Sequence, residues 1–322
     1  MSRTTVTARP GRGATGSDVA TPLALVGPTA SGKTEASLVL AQRLGAEIVV
    51  VDSMTVYRGM DVGTAKPTAE ERARVPHHLV DVADPTEPFS VARFQALGRR
   101  AVQDIAGRGR RALLVGGSGL YFRAVVDDLE FPGTDPRVRS FLEVEAAAVG
   151  PAVLHARLSE LDPRAAARIE PGNARRTVRA LEVAAVTGRP FSSFAGAWDR
   201  HEDGRVRAAG VVLDPAHLTA RIEDRARLIV EGGLVDEVRT LLEGGSGPFL
   251  TASQAIGYLE VARHLAGEIT LEEAVTETAR RTRALARRQM AWFRRDPRIR
   301  WFRAGADGAA GVVDEIEGYL RA

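Results

Sequence analysis

The sequence predicts an α/β fold in which a parallel sheet carries helices on both faces and is interrupted by an all-helical insertion. Three observations predict it. Strand-like apolar runs alternate with helical runs through the first third of the chain. The first of these runs feeds directly into the glycine-rich string GPTASGKT at residues 27–34. Residues 135–187 then switch to a helical pattern rich in Ala, Arg and Glu.

The elements follow in order. Residues 1–20, basic and hydroxyl-rich with Asp18 as their only acid, read as a disordered tail. Residues 23–26 form a short buried strand and 33–44 a helix that starts at the glycine turn. Residues 47–51, largely β-branched, form a second strand, 91–106 a helix and 112–115 a third strand. Pro132 and Gly133 on one side, and Gly188 and Pro190 on the other, bracket the helical stretch. This gives an inserted helical domain over 131–200, between core segments at 21–130 and 201–322. Residues 204–212 return as a strand, after which helical patterns run to about residue 294. At 322 residues and 44% hydrophobic content, the chain can bury a full core and a smaller second one.

Composition narrows the function. No apolar run approaches the roughly 18 residues of a membrane span, and no apolar segment of a signal peptide follows Met1. With no cysteine, disulfides and thiolate metal sites are excluded, which fits a reducing compartment. A soluble, cytoplasmic protein without membrane contact is therefore expected; composition does not set its oligomeric state, for which a monomer is the expectation. Net charge is only +3, so the placement of the cations matters more than their sum. Of 44 lysines and arginines, only Lys33 and Lys66 are lysines.

Lys33 closes the phosphate-loop pattern, which comprises Gly27, Pro28, Thr29, Ala30, Ser31, Gly32, Lys33 and Thr34. Strand, glycine turn and helix start occur in the required order, which makes the core phosphate-loop NTPase-like. The glycines let backbone N–H groups turn onto an anionic oxygen, and the helix start adds partial positive charge. The lysine is a compact point charge, and Thr34 offers a hydroxyl to Mg2+. The pattern does not specify which phosphates are held.

Asp52 and Ser53 lie just past the second strand, at the sheet edge where open α/β folds bind ligands. A carboxylate there serves as a metal ligand, an anchor for a hydroxyl, or a general base. Gly116, Gly117, Ser118 and Gly119 form a second glycine loop after the third strand, facing the same crevice. On its own, a plain turn explains GGSG equally well. Farther on, residues 280–303 hold ten arginines against one acid, Asp296, with Trp292, Phe293, Trp301 and Phe302 interleaved. Read as one helix, the run aligns Arg280, Arg283, Arg287 and Arg294 on a face suited to nucleic-acid phosphates, with aromatic rings that stack on bases. His77 and His78, in a loop opened by Pro76, read as an exposed pair without metal spacing.

These strings, together with VDSMTVYRGMDVGTAKPT at 51–68, HHLVD at 77–81, LLVGGSGLYFRA at 113–124, RTVRALEV at 176–183, QAIGY at 254–258 and RRQMAWFRR at 287–295, closely resemble the tRNA dimethylallyltransferases. The likeness spans residues 23–302, and Lys66 falls in its GTAKP segment. It implies transfer of a dimethylallyl group from dimethylallyl diphosphate to the exocyclic amine of the adenosine 3′ of the tRNA anticodon. It further implies Asp52 as base, Ser118 beside the reacting groups, Arg221 on the diphosphate with the phosphate loop, and Mg2+ on Thr34. The implied tRNA route runs over Asp52, Ser53, Met54, Thr55, Ser118, Ser140, Arg175, Arg176, Arg179, Gln254, Gly257, Tyr258, Arg287, Arg288, Gln289, Trp292 and Arg294. Asn173-Ala174 departs from the Asp-Pro of many relatives, and Leu259 stands where a polar residue often sits.

Other readings share parts of this pattern. An adenylate isopentenyltransferase would use the same chemistry on a free nucleotide, but the arginine-rich carboxyl terminus favours a polymer. A small-molecule kinase would share the phosphate loop and Asp52, with Arg175, Arg176 and Arg179 as a lid. A non-catalytic RNA-binding module leaves GPTASGKT unexplained.

Overall fold

The computed structural model describes residues 21–198, 200–243 and 255–322. The expected tail at 1–20 and the site candidate Gln254 lie outside them. Six parallel strands form one sheet: β1 (Leu23–Val26), β2 (Ala46–Val50), β3 (His77–His78), β4 (Arg111–Gly116), β5 (Arg207–Leu213) and β6 (Ile299–Ala304), in the order β3-β2-β4-β1-β5-β6. The alternation of strand side chains fills two cores. Ala24, Val26, Val49 and Leu114 face one side with Phe94, Phe122 and Phe293, while Leu23, Leu25, Ile48 and Leu113 face the other with Leu40 and Ile316.

Helix α1 (Lys33–Leu44) leaves the phosphate loop through Gly32, whose φ of 82° lies in the left-handed region that glycine tolerates. Helix α2 (Ala69–Arg74) follows on a Thr68/Glu71 capping box, and α3 (Val91–Gly107) starts on the Ser90 hydroxyl. Helix α3 buries Phe94, Ala101 and Ile105 at helical spacing against the sheet. Helix α4 (Gly119–Val126) follows the second glycine loop and is almost wholly buried.

Helices α5 (Pro136–Val149), α6 (Pro151–Leu161), α7 (Pro163–Ala166) and α8 (Ala174–Thr187) pack around their own cluster of Leu142, Leu154, Leu158, Ile169 and Leu181. Each opens on a helix-start signal, and Asn173 caps α8 by accepting from Arg176 N–H at 3.1 Å. The substitution of Asp-Pro by Asn-Ala therefore keeps the cap. The chain crosses into and out of this segment beside the core. Phe131, Trp198 and Trp292 meet edge to face at 6.1 and 6.4 Å, and the Arg123 guanidinium donates to the carbonyls of Ala197, Trp198 and Arg200.

Helix α9 (Pro215–Ile229) continues through a π turn (Val230–Leu234) into α10 (Val235–Glu243), followed by α11 (Tyr258–Leu265) and α12 (Leu271–Phe293). The arginine run is not one helix. Helix α12 stops at Phe293, Asp296 and Pro297 turn the chain, and IRWFRA becomes β6, with Ile299 and Trp301 packed into one core and Phe302 and Ala304 into the other. Trp301 and Phe302 thus belong to the sheet. Helix α13 (Val313–Arg321), unforeseen in the sequence, seals the face beside α1. His77 and His78 are a short edge strand rather than an exposed loop: both are half-buried, and His78 Nε2 lies 2.7 Å from the buried Glu47.

Candidate active site

Two cavities meet at the carboxyl edge of the sheet. The first, about 480 Å3, is lined by the phosphate loop from Thr29 to Thr34, by Asp52 and Thr55, and by Arg221 of α9. The second, about 640 Å3, lies between Ser53, Met54, Ser118, Gly257 and the α12 residues Arg288 and Trp292. Six residues line both: Thr29, Asp52, Thr64, Gly117, Arg225 and Gln289. Asp52 therefore stands at a junction with phosphate-binding groups on one side and the arginine-bearing helix on the other.

Parallel topology puts these residues together. The phosphate loop, Asp52 and the GGSG loop follow β1, β2 and β4, adjacent strands in the sheet. The GGSG loop is no plain turn. A Cβ on Gly116 would sit 2.2 Å from Val51 O, one on Gly117 2.4 Å from Gln289 Nε2, and one on Gly119 1.8 Å from the Trp292 ring. Only hydrogen fits where α12 and β2 approach, and Ser118, whose side chain caps no helix, is left in the second cavity.

The phosphate loop is braced from two helices. Arg221 Nε donates to Ala30 O at 2.8 Å, and Thr29 N–H donates to Gln289 Oε1 at 2.8 Å. Lys33 Nζ folds onto the loop, donating to Pro28 O at 2.5 Å and Ser31 Oγ at 3.2 Å. Burial and the Arg225 guanidinium pull the Lys33 ammonium down to about 7, while Asp52 opposes them. Arg225 itself is lowered by burial. It makes no hydrogen bond among the described residues and faces Asp52 from one turn beyond Arg221. Sequence reading missed it, although the i, i+4 spacing in LTARIEDR was the available signal.

Asp52 Oδ1 accepts from Met54 N–H at 2.8 Å, which fixes the carboxylate at the end of β2. Thr55 is buried, and its hydroxyl has no hydrogen-bond partner in the first cavity wall. Thr34 and Asp52 present hard oxygens to one cavity. Among the described residues, no three His, Cys, Asp or Glu side chains gather to hold a metal by themselves. That donor set fits Mg2+, which takes its remaining ligands from phosphate and water.

Other candidates serve different ends. Tyr258 is buried, and its hydroxyl donates to Glu237 at 2.5 Å. Glu237 also receives the N–H groups of Asp61, Val62 and Gly63. Tyr258 is thus a clamp on the 61–63 loop and offers no ring face to RNA. Arg179 donates to Pro132 O, Gly133 O and the buried Glu182, tying down the crossing into α5. Ser140, Arg175 and Arg176 are exposed on α5 and α8 and line neither cavity. Arg287 and Arg294 are exposed and line neither cavity. Lys66, given no chemistry by the sequence, is fully enclosed and donates to Tyr57 O, Asp61 and Asp81.

The arginine excess is also smaller than its local count. Arg280, Arg281, Arg283, Arg298 and Arg303 pair with Glu277, Glu260, Glu223, Asp127 and Asp214, most of them distant in sequence. Arg287, Arg288, Arg294 and Arg295 make no ion pair among the described residues and are exposed at the end of α12.

The chain matches the family model described as IPP transferase over residues 55–296 and the one described as isopentenyl transferase over residues 22–79. It is 54% identical to the tRNA dimethylallyltransferase of Salinispora tropica over 288 residues, covering 89% of this chain and 90% of that one. It is 52% identical to the tRNA dimethylallyltransferase of Streptomyces coelicolor, covering 92% of each. Among solved structures it is similar to the tRNA isopentenylpyrophosphate transferase of Bacillus halodurans, with a TM-score of 0.65 and 42% identity over 93% of this chain and 96% of that one. A eukaryotic dimethylallyltransferase crystallised acting on tRNA gives a TM-score of 0.74 at 25% identity, over 90% of this chain and 75% of that one.

Proposed function

The chain belongs to the IPP transferase family, and from that premise we propose that it is a tRNA dimethylallyltransferase. It moves a dimethylallyl group from dimethylallyl diphosphate to the exocyclic amine of the adenosine 3′ of the anticodon and releases diphosphate. The observation that carries this reading is the position of Asp52 in the wall common to the two cavities. The phosphate loop supports diphosphate in one cavity, and the arginine end of α12 supports tRNA over the other.

The chemistry follows from these groups. An adenine amine shares its lone pair with the ring and is a poor nucleophile until a base takes its proton. Asp52, held by Met54 N–H, accepts that proton as the C–N bond forms and the C–O bond to diphosphate breaks. Charge then grows on the leaving oxygens. Loop N–H groups, Lys33, Arg221 and Arg225 meet that charge more strongly in the transition state than in the ground state. Mg2+, held by Thr34 with Asp52 nearby, would neutralise further charge on the diphosphate. Ser118 borders the cavity that receives the base, which must leave the anticodon-loop stack to reach Asp52.

No helix among the described residues is long and apolar enough to cross a membrane. The direct test incubates the protein with Mg2+, unmodified bulk tRNA and labelled dimethylallyl diphosphate. Label in a prenylated adenosine after digestion is the expected result; label absent from RNA, with ATP consumed in a parallel reaction on small alcohols, would replace it with the kinase reading.

A further inference from the structure

Two side chains of α12, a turn apart, pack against the second glycine loop. Trp292 packs where Gly119 has no side chain, and Gln289 packs where Gly117 has none. Of the two, Gln289 also reaches the phosphate loop. Its Oε1 accepts the Thr29 N–H at 2.8 Å, while its Nε2 lies against Gly117, so one amide spans the two glycine loops. A second contact runs alongside it, because Ala286 of α12 and Ala30 of the loop share a small buried cluster with Ile222 and Ala226 of α9. The same helix carries Arg287 and Arg288, exposed and without ion pairs among the described residues, beside Gln289 in sequence. A force on α12 at Arg287 or Arg288 therefore has a short path to the backbone of Thr29.

We propose that Gln289 is a positioning residue that couples tRNA docking on α12 to the shape of the phosphate loop, so that tRNA and the diphosphate bind cooperatively. The inference rests on the reading of α12 as a tRNA surface and of the loop as the diphosphate site. A neutral amide suits the role. Its oxygen anchors an N–H without placing a negative charge beside the diphosphate, as glutamate would, and its nitrogen bears on the loop that presents Ser118. Phosphates settling on Arg287 and Arg288 fix the helix. The Gln289 hydrogen bond then holds Thr29 in the loop shape that the diphosphate needs. By linkage, the diphosphate tightens tRNA by the same factor. A single neutral hydrogen bond supplies about two- to tenfold.

The test is a binding cycle on the full chain by calorimetry, using inorganic pyrophosphate with Mg2+ in the presence and absence of an unmodified anticodon stem-loop RNA. The wild type should bind pyrophosphate about two- to tenfold more tightly with RNA present. Gln289→Met, of similar volume but without the acceptor, should bring that ratio to one, and Gln289→Glu, which keeps the acceptor, should retain it while weakening pyrophosphate. A purely architectural role would lower both affinities and leave the ratio unchanged, which would overturn the proposal. Should the methionine variant not fold, Gln289→Asn, too short to reach Thr29, makes the same comparison. Both ligands binding the wild type with a ratio of one would sink the coupling alone. Failure of the wild type to bind either ligand would sink the functional reading and the coupling with it.

Discussion

Lys33 and Asp52 line the same cavity from neighbouring loops, and the Asp52 carboxylate opposes the burial and the Arg225 charge that pull the Lys33 ammonium down to about 7. The loop lysine therefore titrates at neutral pH when no anion is bound. A diphosphate favours the ammonium and raises its pKa, so above pH 7 binding must take up a proton. The affinity should fall as pH rises from 7 towards the raised value, by up to about tenfold per unit. Calorimetry at pH 8 in buffers of different ionisation enthalpy should show proton uptake in the wild type. Lys33→Arg, which stays charged, should lose that uptake and also turn over slowly, because a planar fork replaces a point charge. Equal uptake in the two proteins would move the titration to another group.

Asp52→Asn keeps the shape and the bond from Met54 N–H but cannot accept the amine proton. Turnover should fall by about 10²- to 10⁴-fold with tRNA affinity near that of the wild type. Filter binding and single-turnover assays separate the two quantities. Normal turnover would remove Asp52 from the role of base.

What the sequence made legible was what is local. GPTASGKT, the strand before it and Asp52 after the second strand carry their meaning in neighbouring residues, and the parallel sheet follows from the alternation around them. The misread parts depended on distant partners. Nothing in RRQMAWFRRDPRIRWFR reveals that Arg298 will be buried between Asp127 and Asp296, or that Ile299 will pair with Ala208 as an edge strand. Nor does QAIGY reveal that the Tyr258 hydroxyl will donate to Glu237 from another helix. Arg225 gained its place only when α9 packed over the loop.

Lys66 illustrates the same dependence and yields a stability prediction. Its ammonium is sealed from water and shared by Tyr57 O, Asp61 and Asp81, while Arg72 takes the other Asp81 oxygen. It closes the base of the 57–66 loop that Glu237 holds at 61–63. Lys66→Met should cost about 2–4 kcal/mol, because the Tyr57 carbonyl and the Asp61 carboxylate lose their cation, Asp81 keeps only Arg72, and only some of these groups regain water. Denaturant melts measure it. A change below about 0.5 kcal/mol would mean that the loop is held by Glu237 and Tyr258 without the lysine.

The RNA surface is the remaining question, and the ion pairs narrow it. Arg283 faces Glu223 and Arg280 faces Glu277, so a phosphate must displace a carboxylate to reach either. Arg287 and Arg294 are exposed and unpaired among the described residues. Each phosphate contact releases condensed counterions, so tRNA affinity should fall steeply with salt, and removing a contact should flatten the log–log slope by about 1. The Arg287→Ala, Arg294→Ala pair should therefore reduce the slope by about 2, whereas Arg283→Ala should leave it within error of the wild type. If Arg283→Ala flattened the slope and the pair did not, tRNA would dock along the middle of α12, breaking the Glu223 pair as it binds. The exposed end of the helix would then be an ordinary solvated face.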